Sequence, residues 1–542
     1  MSDDPYYLLH FRFALRWLHA RYGDLLSMRE GEFIHEFSVL PRASQALLVR
    51  LIMRRGQRFR ASKINYPEIG NIARACGPLI ELQWIDPRPL LSIEELARLT
   101  TRAELGEIFP HLPSSLSKAQ ALALLCATQT DRRSFEDWRG SVSEPVYLVS
   151  IALLCTQLRL LFFGNFRQEW SEFVLADLGV FRYEAVPFSL ESRAFHARKD
   201  IEDFYLLYEC RRMLAEQGQL AAALALLPDS SLNHEWLEAR RAKLKFQIAR
   251  RYEVAGERQQ ALALYRACSH PDARWRAIRM LEIDARYSEA HTIASAAAQV
   301  PDSHAEKQRL SRVLRRLERR LGLPPRLQKR PARPERLDLI VPVPRAGESV
   351  EHIARKLVAV PKAPVYYVEN TLINSLFGLL CWEAIFAPIS GAFFHAFQAG
   401  PMDLFSRTFR SRRAPLFDRA LQMLESNAYK HTIKHNFHAK QGIQSSFVAW
   451  GVVDEDLLDT ALACIPAAHL RRYFERLLSN LPENRTGLPD LVQFWIDENR
   501  YRMIEVKGPG DRLQDNQQRW MDFCMEQNLP VAICHVRWAA TV

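Results

Sequence analysis

Thr486-Gly487-Leu488-Pro489-Asp490-Leu491-Val492-Gln493-Phe494-Trp495, then Asp497-Glu498-Asn499, then Tyr501-Arg502-Met503-Ile504-Glu505-Val506-Lys507-Gly508-Pro509-Gly510 is the stretch on which the reading of this chain turns. Apolar runs on either side of a polar Asp-Glu-Asn turn predict strand, turn and strand. Asp490 leads the first strand and Glu505 lies in the second, so pairing the strands brings two carboxylates together. Glu505 and Lys507 stand two positions apart and project from one face, while Val506 points its side chain away and leaves its carbonyl as a further oxygen donor. Such hard oxygens suit Mg²⁺ or Mn²⁺. A cation held there lowers the pKa of a water and neutralises charge on a phosphate. Lys507 would orient that water or offset charge developing at phosphorus. An E-x-K triplet alone is common. Pro-Asp, the fourteen residues 491–504, and then Glu-Val-Lys-Gly-Pro is far more restrictive. Two acids and a lysine gathered on one side also contribute little to stability. The pattern therefore predicts metal-dependent phosphodiester hydrolysis, with Asp490, Glu505 and Lys507 catalytic and Asp490, Glu505 and Val506 as metal ligands.

Working outward, a helix is predicted from about Gln514 to Gln527 and a further strand at Val531–Val536, so the last domain alternates helix and strand. Gln514 and Gln517 or Gln518 on that helix could face the site, but each is read as part of a solvent face in preference. The 542 residues are too many for one compact core, so several domains are expected. The net charge of +11 suits a polyanionic partner without identifying one. Nine cysteines without a CxxC pair exclude a zinc ribbon and suggest reduced, mostly buried thiols. The acidic start Met1-Ser2-Asp3-Asp4 lacks a signal-peptide core, and the apolar run Leu376 to Pro388 is broken by Glu383. The expectation is a soluble, cytoplasmic, nucleoid-associated protein with no membrane partner.

Residues 1–86 read as a helical, basic domain. Tyr7, Leu8, Phe11, Leu15 and Leu18 recur at helical spacing. Between positions 50 and 63 stand Arg50, Arg54, Arg55, Arg58, Arg60 and Lys63, interleaved with Phe59 and followed by Tyr66. Arg54, Arg55, Arg58, Arg60 and Lys63 are the candidate phosphate contacts. In residues 87–130, Ser92 caps a helix with Glu95 placed for a capping box. Leu99-Thr100, Glu104-Leu105 and Ser117-Lys118 with Leu122 resemble the SAP module, a helical pair that binds duplex DNA, which adds Lys118 to the candidate DNA contacts. Residues 131–320 read as a helical scaffold. The pairs Tyr205–Gln217 with Leu220–Leu227, Trp236–Ala255 with Arg258–Cys268, and Trp275–Asp284 with Tyr287–Ala298 resemble tetratricopeptide helices, without a clean period. The Pro/Arg-rich stretch 321–347 reads as a linker, leaving 348–542 as the last domain. His431, His435 and His438 share one face of a helix beside Lys430, Lys434 and Lys440, read as a DNA-facing basic helix in preference to a zinc site.

Gly487-Leu488-Pro489-Asp490 with Glu505-Val506-Lys507-Gly508-Pro509-Gly510-Asp511-Arg512-Leu513 resembles the VRR-NUC branch of the PD-(D/E)xK nucleases. The order of basic helical region, SAP-like hairpin, helical repeats and nuclease core resembles the Fanconi-associated nuclease family, in a bacterial member. Ser62–Ile69 and Phe377–Phe386 are similar to stretches of that family. The implied fold is multidomain and mainly α, with a C-terminal α/β restriction-endonuclease-like core. The resemblance implies a structure-selective DNase acting on 5′ flaps as endonuclease and as 5′ exonuclease in interstrand-crosslink repair. It also implies a fourth acid, a catalytic and metal-binding glutamate on a helix before the core sheet. Glu369 is favoured for that place over Glu383, fourteen positions on, with which it would share a face if one helix continued. A junction resolvase, a nicking enzyme and a non-catalytic DNA-binding scaffold remain as alternatives.

Overall fold

The computed structural model describes residues 4–140, 144–172, 181–216, 218–324, 333–341 and 348–539. The chain divides into two compact units, Met1–Phe181 with His196–Arg198, and Arg182–Phe195 with Lys199–Val542.

In the first unit, the apolar stripe read from the sequence becomes the buried face of the helix Tyr6–Tyr22, on which Tyr7, Leu8, Phe11, Leu15 and Leu18 are inside. The helices Met28–Val39, Arg42–Ile52 and Ile72–Glu81 follow. A small antiparallel sheet orders β1 (Arg58–Arg60), β3 (Val146–Val149) and β2 (Ile85–Asp86), with β3 central. Where a SAP-like pair was expected, three short helices form, Ile93–Leu99, Arg102–Ile108 and Lys118–Thr128. Ser92 caps Ile93–Leu99 through a capping box with Glu95, and Ser117 caps Lys118–Thr128 through one with Gln120. The core of this module includes Leu96, Leu105, Leu125, Phe135 and Trp138. The module thus runs past residue 130. Residues 144–172, expected in the scaffold, fold with this unit because β3 is the middle strand of its sheet.

The second unit carries the helical array and the nuclease-like core. Arg198–Ala215, Leu220–Leu226, Glu235–Val254, Arg258–Arg266, Ala273–Ile283, Tyr287–Gln299 and His304–Arg320 pack mainly in sequence order. Buried Ala261, Ala277, Ala290 and Ala294 let the axes approach closely. The five-stranded sheet has the order β4-β8-β7-β6-β5, where β4 is Glu335–Val341, β5 Val365–Tyr367, β6 Leu491–Trp495, β7 Arg500–Lys507 and β8 Val531–Trp538. β4 and β7 run parallel to β8, whereas β6 is antiparallel to both β7 and β5. β4 lies in the stretch read as a linker. No proline stands between Pro334 and Pro342, and in that gap Leu337, Leu339 and Val341 alternate toward the core. Residues 325–332 and 342–347 of that stretch lie outside the described residues.

One face of the sheet is covered by the helix Val350–Val358, against Leu491, Ile504 and Val506. The other packs Val492, Phe494, Tyr501 and Met503 against helices that include Leu372–Leu380, Ala467–Ser479 and Asp515–Glu526. The period of two along β7 sends Val506 to the first face and Glu505 and Lys507 to the second. Among the described residues no helix is long and apolar enough to cross a membrane, and none of the cysteines is in a disulfide.

Candidate active site

The β6–β7 hairpin places the two acids read from the sequence side by side. Leu491 faces Ile504 across the ladder, so Asp490, one residue before β6, comes beside Glu505. Asp490 is 6% exposed and Glu505 0%. Oδ2 of Asp490 accepts a 2.8 Å hydrogen bond from the Val506 N–H, which fixes its orientation. Oε1 of Glu505 lies 2.8 Å from Nζ of Lys507 in an ion pair, and the buried Oε2 has no hydrogen-bond partner. Nζ of Lys507 donates to Oε1 of Gln517 at 3.1 Å, and that oxygen also accepts from the Gln514 N–H at 2.9 Å. Gln517, expected on a solvent face, is therefore turned to the site by the packing of its helix on the sheet.

Burial and mutual repulsion oppose ionisation here. Burial pushes the Asp490 carboxyl up to about 6, against the opposing Val506 N–H, and Glu369, Lys507 and Glu351 act on it through space. Glu505 is raised to about 7 by burial first and by Asp490 next, with Lys507 opposing. Two crowded carboxylates, one with an orphaned buried oxygen, match what a divalent cation neutralises, and the all-oxygen donor set is hard.

Glu369 belongs to this electrostatic cluster and Glu383 does not. Glu383 is 77% exposed by side chain and meets Arg419 at 3.9 Å. The single helix that would have joined them breaks into Leu372–Leu380 and Trp382–Ile385. Glu369 itself is not on a helix. It sits in the turn after β5, and its backbone neighbour Val368 donates to the Asp490 carbonyl at 2.8 Å. Its carboxylate is held by the Tyr367 hydroxyl at 2.6 Å and by Nδ2 of Asn370 at 3.2 Å. Asn370 adopts a left-handed φ of 52°, and its Oδ1 accepts from the Leu488 N–H at 3.1 Å. Asn370 thus ties the Glu369 turn to the Gly487-Leu488 turn that leads into Asp490. Among the described residues no three acidic, His or Cys side chains are already drawn into a cage, which agrees with Glu369 being engaged by Tyr367 and Asn370. Glu351, Tyr367 and Asn370 were not read from the sequence. They lie well over a hundred residues from Asp490, with no spacing signal to connect them.

The basic candidates separate into two groups. Arg60 is buried and pairs with Glu104 and Glu144, both at 2.6 Å, and Arg58 pairs with Glu95 at 2.7 Å. These two brace β1 against the SAP-like helices and are not available for phosphate. Arg54, Arg55 and Lys63 are exposed. Lys118 is exposed, but its ammonium donates to the Thr100 carbonyl at 2.6 Å. On the helix Ala428–Ala439 three of the six expected DNA-facing residues meet carboxylates: Lys434 meets Asp459 at 2.7 Å, His438 meets Glu455 at 3.4 Å, and Lys440, just past its end, meets Glu184 at 2.8 Å.

Comparison with known proteins agrees with this geometry. A family model for the FAN1 HTH domain matches residues 5–86, one for the Fanconi anemia-associated nuclease SAP domain matches 90–138, and one for the VRR-NUC domain matches 424–538. The chain is 50% identical to a Fanconi-associated nuclease 1 homolog of Pseudomonas aeruginosa over 99% of its length and 96% of the relative's. It is 24% identical to the homolog of Arabidopsis thaliana, over 99% of this chain and 67% of that one. A crystal structure of paFAN1 bound to 2nt 5′ flap DNA with a gap superposes with a TM-score of 0.94 at 48% identity, covering 100% of both chains. The paFAN1 structure with a 1nt 5′ flap gives 0.93 at 49%, over 99% of this chain and 100% of that one.

Proposed function

The chain belongs to the Fanconi-associated nuclease 1 family and is a nuclease acting on DNA, and on that premise we propose that it is a Mg²⁺- or Mn²⁺-dependent enzyme of flapped DNA, cutting 5′ flaps as an endonuclease and trimming as a 5′ exonuclease in the repair of interstrand crosslinks on the nucleoid. The observation that carries the chemistry is the buried Asp490–Glu505 pair beside Lys507. The flap preference rests on the 5′ flap DNA held by the structural relatives.

Asp490, Glu505 and Glu369 would hold the cation, with the Val506 carbonyl as a further donor. When bound, the cation supplies Lewis acidity toward the scissile phosphate and toward an attacking water. The chain's own groups do the positioning. The Val506 N–H pins one Asp490 oxygen and leaves the other for the ligand site. Gln517 and Glu505 together hold the Lys507 ammonium at the mouth of the pair. There it orients the attacking water and offsets charge that develops on the phosphoryl oxygens. Exposed Arg54, Arg55 and Lys63, with Lys118, would contact the duplex backbone, which positions DNA without reading sequence.

The test is cleavage of labelled 5′ flap, 3′ flap, nicked, four-way and single-stranded DNA with Mg²⁺ or Mn²⁺ and then with chelator. Asp490→Asn should abolish cutting and leave flap binding intact. Cutting that survives this change overturns the site. Absence of cutting on every substrate with either metal favours a DNA-binding scaffold, and preferred cutting of four-way DNA favours a resolvase. Glu369→Gln should lose activity and Glu383→Gln should keep it.

A further inference from the structure

Arg476 is an unusual cation of the second unit, outside the active site. It lies on the helix Ala467–Ser479 and is 6% exposed. Among the described residues it forms no ion pair. Its polar contact is Nη2 to the Arg519 carbonyl at 2.9 Å, and Nε is buried without any partner. The guanidinium lies over the rings of Trp520 at 4.7 Å and Phe523 at 4.3 Å. Aromatic faces recover only part of the hydration that a buried cation gives up. The missing part shows in the guanidinium pKa, which burial pulls down to about 10.

Arg476 is also in the wall of a cavity of about 600 Å³, lined by residues of the helices His304–Arg320, Ala467–Ser479 and Asp515–Glu526. His304, Lys307, Arg472 and Arg519 join it there. Three acids share the wall, and two of them are already engaged: Glu475 meets Arg472 at 3.6 Å, and Asp522 accepts from Gln518 at 2.8 Å. Glu526, the third, is exposed. With Arg472 engaged by Glu475, three permanent cations (Lys307, Arg476 and Arg519) and a histidine face a space whose carboxylates form no ion pair with the buried guanidinium. Nothing in this wall belongs to the Asp490–Glu505 site.

We propose that this cavity is a second anion site that takes a phosphate group, with Arg476 as its floor and Lys307 and Arg519 at its rim. A planar guanidinium matches phosphate by paired N–H donors better than it matches a monovalent ion. The phosphate can come from a DNA backbone or from free phosphate, and the two sources separate experimentally. The full-length protein in chelator is titrated with inorganic phosphate at low salt by calorimetry. A 5′ flap duplex is titrated in parallel by fluorescence anisotropy at several salt concentrations. Arg476→Met keeps the stem packed on Trp520 and Phe523, while Lys307→Ala, at an exposed position, keeps the test valid should the buried change unfold the chain. The site predicts loss of phosphate binding with Arg476→Met and a several-fold weakening with Lys307→Ala. A backbone source adds a weaker flap complex whose log–log salt slope falls by about one per lost contact. A free-phosphate source leaves the flap complex unchanged. Phosphate and DNA affinities that both ignore Lys307→Ala and a folded Arg476→Met overturn the proposal.

Discussion

Asp490→Asn should make the metal-free protein more stable, and by more at pH 8 than at pH 5. The unfolded chain ionises this carboxyl near 3.8, and the metal-free folded protein near 6. Between those values the folded state holds more protons, so stability falls as pH rises through the window and stays lower above it. At 1.36 kcal/mol per pH unit the loss amounts to at most about 3 kcal/mol at pH 8, about half of that at pH 5, and little below pH 4. Asparagine keeps an oxygen to accept the Val506 N–H and removes the charge that burial, Glu505 and Glu369 oppose. Glu505, displaced upward to about 7 in part by Asp490, is relieved as well. For a domain of this size the change corresponds to a melting temperature higher on the order of 5–10 °C at pH 8. Differential scanning calorimetry in EDTA at pH 5 and pH 8 reads it directly. Adding Mn²⁺ should raise the melting temperature of the parent protein and leave that of the variant nearly unmoved. A variant that melts lower than the parent at pH 8, or gains equally at both pH values, would refute the account of two mutually repelling, desolvated acids awaiting a cation.

The other expectations concern the supports of the site and the basic surface. Gly487→Ala puts a Cβ 2.8 Å from the Asn516 carbonyl carbon at a φ of +89°, which should cost about 2 kcal/mol or more; a denaturation midpoint equal to the parent's would contradict it. Asn370→Gly suits the left-handed backbone but cuts the link between Glu369 and Leu488, so Mn²⁺ affinity measured by calorimetry should fall roughly 10–100-fold with no loss of melting temperature. Gln517→Ala releases Lys507 and should lower kcat on a flap substrate without changing KM, while an effect confined to KM would place Gln517 in binding. Arg60→Ala should lower the melting temperature by freeing Glu104 and Glu144, whereas Arg55→Ala should leave it alone and reduce the salt slope of DNA binding by about one. Reversed outcomes for that last pair would return Arg60 to the DNA surface.

The hairpin was legible because its information is local. Pro489-Asp490, the polar turn and Glu505-Val506-Lys507 lie within nineteen residues, 489–507, and the period of two along β7 sorts Glu505 and Lys507 from Val506 without reference to the rest of the chain. The capping box of Ser92 with Glu95 is legible for the same reason. What the linear text hides is pairing at a distance. Arg58 and Arg60 stand in a basic run and look like phosphate ligands until Glu95, Glu104 and Glu144 fold against them. β4 looks like the tail of a proline-rich connection because a strand of a parallel pair finds its partner, β8, nearly two hundred residues later.

Glu369 shows where the two kinds of knowledge meet. It was favoured over Glu383 by resemblance alone, from its place ahead of the Gly378-Leu379-Leu380 segment, with no geometry behind it. The broken helix at Cys381, the turn after β5 and the contact of Val368 with the Asp490 carbonyl are what support Glu369 in the proposed site. Carboxylate and lysine chemistry is carried by residue identity and short-range register, so it is written in the chain. The burial that lifts Asp490 and Glu505, the Asn370 bridge, the hold of Gln517 on Lys507 and the burial of Arg476 depend on which distant surfaces exclude water together. Desolvation is a property of packing, and packing is decided in three dimensions.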